Sequence, residues 1–280
     1  MSTPLRYPLI ALLIVAPLAG HTDATLIYQS PDPQGAADAV YRLAIHAERI
    51  AISAGDATAA PAVIFDQAQS ALIFVNRRYR QFTVISESWM AAARQRIQEK
   101  TKQMQARMDK QMEDMPADDR ARYQHGRASM GMMPMMGAFS GMGAAPSPPR
   151  YPVPSFRNRV VNGISCRHVD IYETGRKVQE LCVAEQNAVG IPAQDYATVV
   201  EMLRVIDALA RNGAFSFGFE APAVARLASS VEGLSVAVRD LDQNPPRILA
   251  LTGVSVDPVD PDSVQIPDGY LEAKVPVPGM

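Results

Sequence analysis

Residues 163–184 read GISCRHVDIYETGRKVQELCVA and contain both cysteines of the chain, Cys166 and Cys182. Runs of β-branched and apolar residues flank the ETG at 173–175, and a short loop that ends in Gly predicts a β-hairpin with a bulge. If this loop has three residues, counting back along both strands in steps of two places Cys166 directly opposite Cys182. The turn chemistry therefore predicts that the two cysteines face each other.

Directly opposed residues of two antiparallel strands have Cα atoms about 4.5–5.5 Å apart, which a disulfide can join. We therefore expect a cross-strand disulfide between Cys166 and Cys182. The alternative is a cytosolic strand pair with two reduced cysteines. Two cysteines in a chain of 280 residues would staple an ordinary hydrophobic core and would not replace one.

The N-terminal residues favour the oxidised alternative. Arg6 precedes the apolar run 9–16, and small residues follow, which is typical of a secretory signal peptide and too short for a transmembrane span. Cleavage after Ala24 fits best, so residues 1–24 are predicted to be removed. His21 stands where a lipoprotein signal needs Cys, so we expect an exported, soluble periplasmic protein without a lipid anchor, in a compartment where disulfides persist.

Composition excludes some classes of function. The formal net charge is −2, which gives no support for nucleic acid binding. The residues that remain after cleavage, 25–280, are enough for one large domain. The chain also has 22 prolines and 14 methionines, and the methionines concentrate in the segment that begins at Met104.

Short apolar and alternating runs, separated by small turns, predict an antiparallel meander. The apolar phase slips after the second run, which places a turn or bulge at Ala47–Glu48. The predicted strands cover residues 25–28, 40–46, 50–52, 62–66, 71–75, 79–85, 157–161, 215–219, 234–241 and 248–256, with the cysteine hairpin between the seventh and eighth.

Two stretches have helical periodicity. Residues 89–114 contain no Pro or Gly and carry apolar residues at steps of three, four or seven, which predicts an amphipathic helix. Gly and Pro then make 126–150 a predicted mobile tract, so that 88–150 forms a helical and Met/Gly/Pro-rich insert. A second helix is predicted from Pro192 to about Asn212, with Gly213 as its C-cap.

Several of these features together resemble a known bacterial envelope family. They are the signal peptide, the Met- and Gln-rich helical insert, NGISC at 162–166, ELCVA at 180–184 and the closing IPDGY at 266–270. The family is known only as a domain of unknown function, family 4412, and is similar in fold to the periplasmic carrier of outer-membrane lipoproteins. The resemblance covers most of the mature chain and brings no catalytic residues.

The resemblance implies an α+β fold. Its sheet would be a strongly curved antiparallel half-barrel, as in the lipoprotein carrier, with helices packed in or over the concave face. It also implies a lipid or lipoprotein acyl chain, or an envelope protein, as the partner of a chain that does not span the membrane.

The sequence carries no nucleophile elbow, phosphate-binding loop, dinucleotide fingerprint or zinc-protease motif. His168 opposite Glu180 is an acid–base candidate, but a structural cross-strand ion pair explains the same residues. Asp257, Asp260 and Asp262 are calcium candidates that alternate with other residues and lack the EF-hand spacing. We therefore expect a protein that is not an enzyme.

The methionines support two different interpretations. Thioethers are soft ligands that suit Cu(I), and five methionines with one histidine could form a copper site: Met130, Met132, Met133, Met135, Met136 and His125. Adaptable packing or a cover over an apolar hollow explains the same residues.

The methionines of the first helix could instead repack around varied apolar shapes. This predicted ligand-binding face consists of Met90, Met104, Met108, Met112 and Met115. The sequence therefore favours a carrier or chaperone-like module that binds an acyl chain, with a Met-rich periplasmic Cu(I)-binding protein as the alternative. No other cofactor is expected.

Overall fold

The computed structural model describes residues 23–31, 39–55, 62–116, 150–211, 223–227 and 231–273. They form a mixed α+β structure around one large, open sheet of 12 strands. The strands are β1 (Asp23–Ser30), β2 (Ala39–His46), β3 (Arg49–Ala54), β4 (Val63–Asp66), β5 (Ala71–Asn76), β6 (Gln81–Ser86), β7 (Arg150–Val161), β8 (Ile164–Glu173), β9 (Arg176–Ala184), β10 (Leu234–Asp240), β11 (Arg247–Ser255) and β12 (Leu271–Glu272). The helices are α1 (Glu87–Glu113), α2 (Gln186–Val189) and α3 (Ala193–Arg211).

The sheet consists of two meanders joined in the middle. Its strand order is β12-β6-β5-β4-β3-β2-β1-β11-β10-β9-β8-β7. Neighbouring strands are antiparallel, except that β12 pairs parallel to β6. The predicted antiparallel sheet is confirmed, and β7 and β12 form its two open edges.

The N-terminal meander follows the apolar pattern closely. The predicted turn at Ala47–Glu48 is present, and it joins His46 to its strand partner Arg49. Ala47 has a positive φ of 54°, as the first position of a tight hairpin turn requires. Leu43 and Ile45 are fully buried on β2, so the shift in apolar phase marks the hairpin and leaves both strands facing one core.

The cysteine hairpin confirms the disulfide but not the predicted register. Cys166 and Cys182 are bonded, with Cα atoms 5.4 Å apart. The residue opposite Cys182 is His168, where Cys166 was predicted. The residue opposite Glu180 is Asp170, where His168 was predicted.

The difference has two local causes. The turn has two central residues and not three, because Glu173 pairs with Arg176 while Thr174 and Gly175 both have positive φ, at 50° and 81°. A bulge between Ile171 and Tyr172 shifts the register by one further residue. Two shifts of one residue preserve the side-chain alternation. The two cysteines therefore keep a common face and bond diagonally.

Helix α3 fills the centre of the core. It was predicted at 192–212 and is observed at Ala193–Arg211. Its buried side chains join the inner face of the sheet in one hydrophobic cluster: Val199, Met202, Leu203, Val205, Ile206 and Leu209. Branched aliphatic, Leu and Met side chains at helical spacing therefore pack permanently against the sheet.

Hydrogen bonds fix the N-terminal end of α3 to two distant parts of the sheet. The Tyr196 hydroxyl donates to the Ala184 carbonyl at 2.9 Å and accepts from the Leu234 amide at 3.2 Å. Thr198, two residues further along the helix, donates through Oγ1 to Gln67 Oε1 at 2.9 Å. One end of the helix therefore contacts the β4–β5 turn and the β9–β10 region together.

The C-terminal segment covers the other face of the N-terminal meander. Ile266 and Tyr270, from the IPDGY motif, pack on a second cluster formed by Ile64, Ile73 and Val75. Leu271 then continues into β12 beside β6. The motif therefore has a structural role as a cover for the β4–β6 face.

None of the described helices has the length and apolar character needed to cross a membrane.

Three predicted features fall outside the described residues or extend beyond their predicted bounds. Residues 1–22 of the predicted signal peptide and the predicted strand 215–219 lie outside the described part of the chain. Strand β7 begins at Arg150, seven residues before the predicted start, and includes Pro152 and Pro154. Proline lacks a donor N–H, which an edge strand such as β7 tolerates.

Asp23 holds the beginning of β1 to the C-terminal half of the chain. Its Oδ2 accepts the Val259 amide at 2.8 Å, and its Oδ1 lies 2.8 Å from His46 Nδ1. Ala24 is fully buried and pairs with Ile45. Cleavage after Ala24, as the signal peptide predicts, would remove both residues from β1.

We expect Asp23→Ala to lower the free energy of unfolding by about 1–3 kcal/mol, because it leaves the partly buried Val259 amide without its charged acceptor. Urea denaturation of chains that begin before Asp23 measures the change. Asp109→Ala, at an exposed position of α1, is the matched control and should shift stability by less than about 0.5 kcal/mol. Equal stability of the two variants would contradict a structural role for Asp23.

Candidate functional site

Helix α1 forms because its sequence starts with a good cap and contains no helix breaker. The Ser86 hydroxyl accepts the Trp89 amide at 3.1 Å, as an N-cap does, and Glu87 lies in the first turn. The helix then continues for 27 residues to Glu113, about 40 Å at the usual rise per residue. This length carries α1 well beyond the few residues that contact the core.

Four of the five predicted ligand-binding methionines lie on one side of α1, and the fifth, Met115, follows two residues after the end of the helix. Met90 is buried in the main core. Met104 and Met108 are 39% and 40% exposed, and Met112 and Met115 are half-buried. Steps of four residues keep Met104, Met108 and Met112 within about 80° of one another around the helix.

Methionines on one side of α1 therefore lie both in the core and at the surface. An exposed ion pair between Glu87 of α1 and Arg204 of α3, at 3.5 Å, links the two helices. The outer part of α1 presents the thioether side chains of Met104, Met108 and Met112 over about 12 Å, and Met115 follows the end of the helix. We call Met104, Met108, Met112 and Met115 the methionine stripe.

A cleft with both apolar and charged side chains in its lining lies beside α3. It measures about 1010 Å³ and lies between the β8–β9 end, α2 and the first half of α3. Cys166 of the disulfide and Tyr196 line it, together with Glu185, Glu201 and Arg167. The pKa of Glu201 is lowered because Arg204 donates hydrogen bonds to its carboxylate. The charged groups in its lining distinguish this cleft from the apolar hollow expected for an acyl chain.

A polar cluster lies beside the disulfide on β8 and β9. The His168 ring is almost fully buried, and its Nε2 lies 3.1 Å from Asp170 Oδ1. Lys177 Nζ donates to Asp170 Oδ1 at 3.2 Å and to Glu180 Oε1 at 2.7 Å. The predicted His168–Glu180 pair is therefore replaced by an ion-pair network in which each of the two residues has a closer partner.

The geometry of this cluster resembles a metal site, but an ammonium group already supplies the positive charge. Ligand atoms of His168, Asp170 and Glu180 lie within 4.8 Å of one another. Lys177 contacts both carboxylates, and Arg239 reaches Glu180 at 3.5 Å. A divalent cation would have to displace Lys177, so the network fits a structural ion pair better than a metal centre or an acid–base pair.

The charges of this network shift two pKa values in opposite directions. The hydrogen bond from Lys177, which is the largest cause, lowers the pKa of Glu180. The hydrogen bond to Glu180 raises the pKa of Lys177. Both shifts favour the charged pair, and both are weakened by water because the Lys177 side chain is one-third exposed.

The calcium candidates are used locally. Asp257 Oδ2 lies 2.6 Å from the Ser255 hydroxyl, and Asp260 Oδ1 accepts the Asp262 amide at 3.1 Å, where it caps a short 3-10 turn. The copper candidates lie outside the described residues: His125, Met130, Met132, Met133, Met135 and Met136. The Cu(I) site therefore stays a prediction.

Sequence reasoning missed Lys177 because the predicted register was two residues in error, one at the turn and one at the bulge. A two-residue turn would have been found from Gly175 preceded by a residue that tolerates positive φ, although Asn or Asp is more usual there than Thr174. The bulge between Ile171 and Tyr172 carries no Gly and left no comparable sequence signal. The shift moved Asp170 opposite Glu180, where both carboxylates can contact one ammonium.

We expect Lys177→Met to lower the free energy of unfolding at pH 7 by less than about 1 kcal/mol, because the ion pair is partly exposed. The pKa of Glu180 is lowered in the folded state, so its stabilisation is complete above the ordinary value of 4.5 and is lost as the pH falls through the folded-state pKa. The difference between wild type and variant should therefore shrink from pH 7 to pH 3. Urea denaturation at both pH values measures it.

The raised pKa of Lys177 sets a limit on the same stabilisation at high pH. Its stabilisation is complete below the ordinary value of 10.5 and is lost as the pH rises through the folded-state pKa. Lys102→Met, on the exposed side of α1, is the matched control and should show no difference that depends on pH. A loss of stability in Lys177→Met that is equal at pH 3 and pH 7 would contradict the ion pair.

No family model matches the chain, and no curated protein sequence matches it at a significant level. The resemblance to the envelope family therefore stays a prediction from its motifs. The function proposed below is argued from the residues of this chain.

Proposed function

We propose that this chain is an exported, non-enzymatic carrier or chaperone-like protein of the bacterial envelope. Its ligand would be an acyl chain of a lipid or lipoprotein, bound along the methionine stripe of α1. The observation that carries the proposal is the change of environment of the methionines along one side of α1. The side chain of Met90 is buried in the core, while Met104 and Met108 are about 40% exposed on the same side of the helix.

The chemistry of the stripe suits an apolar ligand without a fixed shape. Methionine is unbranched and polarizable, so a row of methionines can repack around ligands of different outline. Three of them over about 12 Å of helix, followed by Met115, form a ridge along which part of an extended acyl chain can lie. Exposed apolar side chains that adjoin a hydrophobic core commonly mark binding surfaces.

The filled core supports a different position for the proposed ligand from the one expected from the sequence. Six side chains of α3 occupy the space against the inner face of the sheet. The remaining cleft next to α3 carries Glu185, Glu201 and Arg167, and charged walls disfavour an acyl chain. The ligand would therefore lie on the outer part of α1 and not within the sheet.

The proposal includes the finer architecture, a half-barrel that curves around α3. Gln67 directly follows β4, and Ala184 is the last residue of β9. These two strands are six positions apart in the sheet. A flat sheet would separate them by about 29 Å, at about 4.8 Å per strand. The six strand pairings from β4 to β9 are all antiparallel, so β4 and β9 run in the same direction. Gln67 and Ala184 therefore lie at the same end of the sheet.

Tyr196 and Thr198 nevertheless bond to these two residues from one helical turn. Their Cα atoms are only about 5 Å apart in a regular helix, so side chains would have to point in opposite directions, fully extended, to cross a flat sheet. Curvature that brings β4 and β9 towards each other removes this requirement. Helix α3 would then lie within the concave face.

The location in the envelope is supported by two independent features. The Cys166–Cys182 disulfide joins neighbouring strands, and disulfides persist in compartments such as the periplasm. The N-terminal sequence has the pattern of a signal peptide. The polar groups beside the disulfide are engaged with one another, which supports a structural role over an enzymatic one.

The test is binding of a fluorescent fatty-acyl probe to the disulfide-bonded protein. We expect saturable binding by the wild type and at least about tenfold weaker binding by Met104→Asp with Met108→Asp, because two carboxylates on the stripe oppose an apolar ligand. Fluorescence titration measures both affinities.

The matched control carries the same charges on other sides of the same helix turns. Gln103→Asp with Ala106→Asp, both at exposed positions, should bind the probe like the wild type. Absence of probe binding by the wild type, together with no lipid in native mass spectra, would exclude the carrier function. An equal loss in both double variants would mean that helix charge, and not the stripe, controls binding.

The alternative, a Cu(I)-binding protein, predicts a different result. Replacement of Met130, Met132, Met133, Met135 and Met136 by Ser should abolish Cu(I) binding, because thioethers are the soft ligands. Competition with a colorimetric Cu(I) chelator measures the affinity. The Met104/Met108 double variant is the control and should bind Cu(I) like the wild type. Unchanged Cu(I) affinity in the Ser variant would exclude this site.

A further inference from the structure

The open edge of the sheet at β7 carries the most exposed apolar side chain of the described chain, Phe156, and three further exposed ones. Phe156 is fully exposed and Val160 is 70% exposed. Tyr151 and Val153, earlier on the same strand, are also exposed. Monomeric proteins seldom leave an aromatic ring and several aliphatic groups together in water unless the surface binds something.

A bulge raises Phe156 out of the sheet. Pro154 pairs with Val169, and pairing resumes only at Asn158, which faces Arg167. Between these positions the Arg157 amide donates to the Ser155 hydroxyl at 3.3 Å, so this backbone donor has its hydrogen-bond partner within the bulge. The chain therefore presents the Phe156 ring on a projecting, locally closed segment.

The charges next to this ring are positive. Arg157 and Arg159 flank it, and neither forms an ion pair with a carboxylate in the described part of the chain. Arg150, at the start of the strand, is by contrast paired with Glu173 at 2.9 Å. A surface that accepts Phe156 must therefore combine apolar depth with negative charge close to Arg157 and Arg159.

We propose that this edge, which we call the β7 ridge, docks on the surface of an anionic lipid bilayer. Phe156 and Val160 would enter the boundary between headgroups and acyl chains, and Arg157 and Arg159 would contact lipid phosphates. Aromatic rings favour this boundary, and arginine can keep its guanidinium at the headgroups while its stem lies along apolar groups. This proposal uses a surface separate from the methionine stripe and does not rest on the carrier function.

Two other occupants fit the ridge less well. A second copy paired antiparallel about Asn158 would bring Arg157 opposite Arg159, and like charges directly opposed destabilise strand pairs. An acidic peptide added as an extra strand would need free backbone donors, but Pro152 and Pro154 have none and the bulge interrupts the ladder. A bilayer needs neither strand register nor backbone hydrogen bonds.

The test is co-sedimentation of the exported, disulfide-bonded protein with vesicles. One set contains phosphatidylcholine alone, and the other contains about one-third phosphatidylglycerol. We expect the wild type to bind the anionic vesicles more tightly and Phe156→Ala to weaken this binding about tenfold. Arg157→Gln with Arg159→Gln should remove the preference for anionic vesicles, and added salt should weaken wild-type binding.

Two control variants separate the ridge from other apolar surfaces. Leu271→Ala removes a 71% exposed side chain from the opposite sheet edge and should bind vesicles like the wild type. The Met104/Met108 double variant should also keep vesicle binding. Since the ridge side chains are exposed, Phe156→Ala should leave the circular dichroism spectrum unchanged.

Three results would overturn the proposal. They are no binding of the wild type to anionic vesicles, no effect of Phe156→Ala, or an equal effect of Leu271→Ala. Binding of hexaglutamate peptide that depends on Phe156, without vesicle binding, would assign the ridge to an acidic peptide. Failure of the acyl-probe experiment with vesicle binding intact would reject the carrier function and leave the β7 ridge as a membrane contact.

Discussion

The pairing of β1 with β11 holds the two halves of the molecule together. Without it, the sheet would separate into an N-terminal meander that ends at β6 and a C-terminal meander that begins at β7. Thr25 pairs with Ser255, and Tyr28 extends past β11 so that its buried hydroxyl donates to the Ser235 carbonyl on β10. Burial raises the pKa of this phenol, which therefore stays neutral and able to donate. The central strands are thus joined by both backbone and side-chain hydrogen bonds.

The inner face that this pairing creates explains the different uses of the two long helices. A sheet of this width exposes more apolar surface than its own side chains cover, and α3 buries the middle of it. Among the described side chains of helix α1, Met90 is buried in the same core and Trp89 packs against it, at the β6 end. One helix is therefore committed to stability over its whole length, while most of the other is available for contacts outside the core.

Local patterns in the sequence predicted most of the elements, because hairpins and amphipathic helices are specified by nearby residues. The strands of the N-terminal meander, both long helices and the disulfide follow from turn signals and periodicity. The register around Cys166 did not, because a Thr-Gly turn and a bulge without Gly leave weak signals. Nor could the β1–β11 pairing be predicted, since Thr25 and Ser255 become neighbours only through the whole fold. The methionine stripe could be identified in the sequence, but which of its residues are exposed depends on where the sheet ends.

The same long-range pairing has a consequence for how the molecule reaches its native state. A chain made from its N-terminus completes β1 long before β11 exists, so the backbone groups on one side of β1 have no partner during that time. Folding rates fall as contacts become more distant in sequence, and unpaired strand edges promote aggregation. The N-terminal meander would therefore emerge with an unpaired strand edge at β1 that promotes aggregation. The yield of folded protein would depend on how well chaperones, or rapid completion of the chain, protect this edge until β11 pairs with it.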